Sequence, residues 1–147
     1  MNSLIQTVKS LIPETHNADR IIEYMLKRLE SFGYNLIDAA DAYTLAFTIQ
    51  KVENNIKNSC NVTSVPDGLI NIFVDRVCGE LLYAKKQTGR LNIDGLDLTS
   101  AFASISEGDT SVSFVQSSND EERFNQLLNV LKTTGEGDLI CYRKLNW

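Results

Sequence analysis

The side chains able to do chemistry are few in this chain and widely spaced. His16 is the single histidine, and imidazole is the side chain that titrates nearest neutrality, as a base or metal ligand. It stands in a polar stretch after Pro13, with no cysteine or carboxylate at a metal or triad spacing. One imidazole alone does not make a site, so the expectation for His16 is an exposed or capping role. The three cysteines, Cys60, Cys78 and Cys141, are odd in number, far apart and without a CxxC pair, which excludes the usual zinc and redox spacings. Cys78 lies inside an apolar helical pattern, and all three are expected to be reduced and structural.

Carboxylates and glycines add little. Asp94 and Asp97 share a loop with Gly95, but the ligand series of a calcium loop is absent, and turn chemistry accounts for Asp and Gly in such a place. Asp75 and Glu80 fall on a helical stretch. No GxxxxGK[ST] run is present, so Gly89 and Gly95 build no phosphate loop. Gly108 and Gly135 read as turn and helix-stop glycines. The expectation is a chain that is not an enzyme and holds no metal or cofactor.

The elements that position these residues read mainly as helices. Leu4, Ile5, Val8, Leu11 and Ile12 recur at helical spacing until Pro13. A second helix opens near Asn17 and carries Ile21, Ile22, Met25, Leu26, Leu29 and Phe32 on one stripe, with Gly33 placed to stop it. A third begins near Asp38 or Asp41 and repeats Leu45, Ile49, Val52 and Ile56, before a polar loop at 58–64. Pro66 and Asp67 suit the start of a fourth. This is the most apolar helix, from Leu69 to Leu82, and is expected to be central, with Lys85 and Lys86 at its negative end. A last helix starts near Ser118 or Asn119 with Asp120, Glu121 and Glu122 in its first turn, and buries Phe124, Leu127, Leu128 and Leu131.

Between residues 91 and 117 the period changes. If Gly108-Asp109 makes a two-residue turn, Ile105 faces Val112 and Ala103 faces Phe114, leaving Ser104, Ser106, Ser111 and Ser113 on the other side. A lone hairpin is marginal in water and needs a surface to lie on. The end of the chain makes a similar demand. Past Gly135 and Gly137 it runs through Leu139, Ile140, Tyr142, Leu145 and Trp147, each costing roughly 1.5–3 kcal/mol if left in water. An extended tail over 136–147 that docks on a neighbouring copy is expected, because two glycines make a flexible joint before it.

The totals fit one domain. The chain has 147 residues, 43% apolar and 22% charged, with a net charge of -5. That is enough chain for a core without metals or disulfides. Its basic residues are scattered, which argues against sequence-specific nucleic-acid binding. No signal-like start and no membrane-length apolar run are evident, so a cytoplasmic start and no membrane partner are expected. The expected organisation is a helical bundle of four to five helices (1–90 and 118–135), a loop and hairpin arm (91–117) and the tail (136–147).

Three stretches together carry a resemblance. They are Val65-Pro66-Asp67-Gly68-Leu69 leading to Gly79-Glu80-Leu81-Leu82-Tyr83-Ala84-Lys85-Lys86, then Ser104-Ile105-Ser106-Glu107-Gly108-Asp109-Thr110-Ser111-Val112-Ser113-Phe114, and the ending Tyr142-Arg143-Lys144-Leu145-Asn146-Trp147. From about Val65 onward the chain resembles the head–tail connector or adaptor family of tailed bacteriophages, including collar proteins of prophage-derived, phage-tail-like bacteriocins. The resemblance implies a structural protein that forms a homo-oligomeric ring and takes part in virion assembly. Its partners would be adjacent portal, tail-terminator, tube or sheath proteins, while passage of DNA stays open. The implied location is the bacterial cytoplasm during assembly, then a virion or released tail-like particle. The interface residues expected on the arm are Ile105, Gly108, Asp109, Val112 and Phe114. Those expected on the tail are Leu139, Ile140, Tyr142, Arg143, Leu145 and Trp147. The alternative is a small non-enzymatic helical binding or regulatory module whose tail packs on its own core.

Overall fold

The computed structural model describes residues 2–15, 17–34, 39–89, 91, 95–99, 101 and 119–142. Six helices carry the description below: α1 (Asn2–Leu11), α2 (Ala18–Ser31), α3 (Ala39–Cys60), α4 (Ile70–Gln87), α5 (Asp120–Thr133) and α6 (Glu136–Tyr142), with a 3-10 turn at Asp67–Leu69. The protein is mainly helical, and no strand occurs among the described residues.

α4 is the hub. It packs against α2, α3 and α5, while α1 covers α2 and α3. Phe73, Val77, Cys78, Leu81 and Leu82 are fully enclosed along its length, which explains why its sequence is apolar on more than one side. The approach of α5 is set by Gly79. A Cβ there would lie 2.7 Å from the Leu131 Cβ and 3.2 Å from the Lys132 backbone nitrogen, so only a residue without a side chain lets the two helices come this near.

Several helix ends follow local rules. Asn119 caps α5, its Oδ1 accepting from the Glu122 N–H at 2.8 Å, as capping residues do for the free amides of a first turn. α2 stops at Gly33, where the Gly33 and Tyr34 N–H groups return to Glu30 and Leu29. α3 runs further than its sequence suggests. Residues 58–60 are helical, not loop, because Cys60 continues the buried series Ile49, Val52, Ile56 and is itself wholly enclosed. Asn61 then takes a positive φ of 55° and ends the helix, with the Val62 N–H returning to the Lys57 carbonyl.

The larger correction lies at the C-terminal end. The tail expected to be extended from residue 136 is helical over Glu136–Tyr142, with Gly137 inside the helix. Gly135 breaks the chain direction at φ 77°, and Leu139 then turns inward to a relative exposure of 7%. Its burial beside α3 supplies what the local sequence lacks, since a seven-residue segment with an internal glycine has little helicity of its own. The proposed arm residues Ile105, Gly108, Asp109, Val112 and Phe114 lie outside the described residues, as do Arg143, Leu145, Trp147, His16 and Asp94.

Candidate functional site

The surface that distinguishes this bundle is built at the two ends of α3. At its C-terminal end, Gly135 separates α5 from α6. Ile72 packs so close to Gly135 that a Cβ there would strike it, and Arg76 Nε donates to the Thr134 carbonyl at 2.9 Å. These α4 contacts aim α6 across α3. The Cys60 thiol donates to the Leu139 carbonyl at 3.4 Å, and the Tyr142 hydroxyl lies against Gly68. Leu139 and Tyr142 thus fasten one side of α6 to the bundle. Ile140 points the other way, 72% exposed.

A shallow groove beside Ile140 is lined by Asn58, Ser59, Arg76, Glu136 and Leu139. Glu136 stands one turn before Ile140, and Asp138 adds a second carboxylate to α6. Burial pulls the Arg76 guanidinium pKa below its ordinary value, and the nearby Glu136 pulls it back up. Arg76 still carries its proton at neutral pH, so two carboxylates and one guanidinium leave this end negative.

The other end of α3 is aromatic. Tyr43 and Phe47, one turn apart, are 64% and 69% exposed. Two ion pairs fix what lies beside them. Asp41 is bonded to Lys85, and Lys51 Nζ lies 3.2 Å from a Glu80 oxygen. Tyr83 falls between Glu80 and Lys85 on α4, as Phe47 falls between Asp41 and Lys51 on α3, so the two rings share a level of the bundle. Lys132 from α5 stands over the Tyr83 ring at 4.1 Å and 4.0 Å from Glu80. Two ammonium groups share one carboxylate here, and the rim is positive.

Beneath this face sits a polar cluster that sequence reading missed. Lys85 and Asp41 are 6% and 3% exposed, and Tyr34 hydrogen-bonds to the same ammonium. Burial works against the Lys85 charge, but its bonds to Asp41 and Tyr34 prevail and raise its pKa. Burial also raises the Tyr34 pKa, with Lys85 opposing. Lys85 therefore does more than complement the end of a helix dipole. It locks the start of α3 to the end of α4.

The residues singled out for chemistry are not brought together. Asp75 pairs with Arg28 of α2 at 2.9 Å, its carboxyl pKa raised by burial and partly restored by that arginine. Glu80 ties α3 to α5, as described. Asp97 opens a helical turn, its carbonyl accepting from Ala101 and its N–H donating to Phe32. Burial pushes the Cys78 thiol far up, which suppresses its thiolate. Among the described residues no three histidine, cysteine or acidic side chains gather as a metal-holding group, and no helix is long and apolar enough to cross a membrane.

Of the expected tail interface, Leu139 is occupied by its own core, whereas Ile140 is open. The Tyr43–Phe47 pair carried a sequence signal, two aromatic residues on the polar side of an amphipathic helix, which went unread. No protein-family model, no curated protein and no solved structure matches this chain.

Proposed function

We propose that this chain is a structural, ring-forming connector or collar protein at the head-proximal end of a phage tail or phage-tail-like particle. The observation that carries this reading is the exposure of Tyr43, Phe47 and Ile140 at opposite ends of α3. Two separate apolar patches on one small bundle suit a head-to-tail contact between identical copies, which closes into a ring when its rotation allows. The resemblance of residues 104–114 and 142–147 to phage connectors supports the same reading.

In this account the arm is a β-hairpin turning at Gly108-Asp109. Ile105, Val112 and Phe114 contact an adjacent subunit or ring, joined by the C-terminal residues Arg143, Leu145 and Trp147. The chain is not an enzyme and works without a cofactor. Its partners are copies of itself and neighbouring portal, tail-terminator, tube or sheath proteins, assembled in the bacterial cytoplasm before the particle is released. Replacing Val112 and Phe114 by serine is expected to preserve the helical circular dichroism signal and to abolish assembly measured by sedimentation. Global unfolding, or unimpaired assembly, would overturn the role of the arm.

The burial of Leu139 on its own bundle favours a second reading, a small helical binding or regulatory module with the start of its tail packed at home. A species that stays monomeric or dimeric at every concentration supports that alternative.

A further inference from the structure

We infer that the exposed side of α6 of one copy docks onto the aromatic face of α3 and α4 of the next, with Ile140 seated beside Phe47, Tyr43 and Tyr83. The inference rests on the ring reading and names the two surfaces that make the subunit contact.

Charge carries the argument. The rim of the Ile140 patch holds Glu136 and Asp138 against one Arg76, whose Nε is already engaged by the Thr134 carbonyl. The rim of the aromatic patch holds Lys51 and Lys132 against one Glu80. Each rim has one charge in excess, and the signs are opposite. A chain of net charge -5 repels its own copies over most of its surface, so a contact between copies is favoured where a positive area meets a negative one. The centres match as well. Tyr43 and Phe47 offer flat rings, Ile140 offers a branched aliphatic side chain, and charge-depleted centres with polar rims are how subunit contacts are built.

Geometry excludes the contact within one copy. Phe47 and Cys60, which marks the α6 end, are thirteen residues apart on one helix, or about 20 Å at the helical rise. Leu139 and Tyr142 hold α6 in place, so Ile140 cannot reach the aromatic face of its own chain. Only a second copy brings the two together, and each copy is left with one surface of each kind. That arrangement propagates head to tail.

The test places a photo-crosslinking benzoylphenylalanine at position 47 of the full chain, where the exposed side chain leaves the fold undisturbed. After irradiation of the assembled protein, mass spectrometry of the digest is expected to show position 47 joined to the peptide holding residues 136–142 of another copy. In parallel, Phe47→Asp is expected to weaken self-association at least tenfold with unchanged circular dichroism. If the chain assembles but the link from position 47 ends elsewhere or does not form, this inference fails and the ring reading survives. A chain that stays monomeric at every concentration overturns both.

Discussion

Replacing Asp41 by alanine is expected to destabilise the fold by about 3–5 kcal/mol, because it strands the buried Lys85 ammonium without its carboxylate. Replacing Lys85 by methionine strands the carboxylate instead and carries a similar cost. The double change Asp41→Leu with Lys85→Met removes both charges, and buried pairs replaced in this way are often neutral or stabilising. Urea unfolding of the three variants separates the cases. Equal losses in the single and double variants would show that the side chains stabilise by shape rather than by charge pairing.

The same cluster fixes the alkaline limit. Tyr34 and Lys85 both have folded-state pKa values above their usual 10.0 and 10.5. A raised folded pKa stabilises the protein below the unfolded value and loses that contribution as pH rises through the folded one. Stability from this cluster is therefore intact at neutral pH and falls above about pH 10. Melting temperatures between pH 8 and 11 should drop more steeply for the wild type than for the double variant carrying Tyr34→Phe as well. Parallel slopes would contradict this assignment.

The second large effect belongs to two adjacent residues of α6. Leu139→Ala is expected to cost about 2–5 kcal/mol, the range for truncating an enclosed leucine, and to lower the melting temperature by roughly 10 °C in a domain this size. Ile140→Asp changes a side chain that is 72% exposed and should leave the melting temperature within a degree or two while impairing assembly. Thermal melts and sedimentation of both variants check the contrast. An unchanged melting temperature for Leu139→Ala would mean that α6 contributes nothing to the bundle.

Particular residues show what could be read before the fold was known. Pro13, Gly33 and Asn119 marked helix ends correctly because their effects are local: a missing N–H, a left-handed residue, a side chain that caps. The fourth helix was legible as the hub because Leu69 to Leu82 is apolar around more than one side. α6 was not legible. Glu136-Gly137-Asp138-Leu139-Ile140-Cys141-Tyr142 has weak local helix preference, and its helix depends on Leu139 meeting Cys60, 79 residues away in sequence. The Lys85–Asp41 pair spans 44 residues, and no spacing rule connects them. The surface followed the same division. Ile140 was expected to be available, but Leu139 was not separable from it by residue type, and the aromatic face needed the helix packing to reveal which side of α3 met water.

Negative-stain electron microscopy of the purified full-length chain, at the concentrations where sedimentation detects association, tests the central claim most directly. Connector or collar function predicts closed rings of one diameter and one copy number, lost in the Phe47→Asp and Ile140→Asp variants. Monodisperse single bundles at every concentration, or open aggregates without a fixed subunit contact, would contradict it.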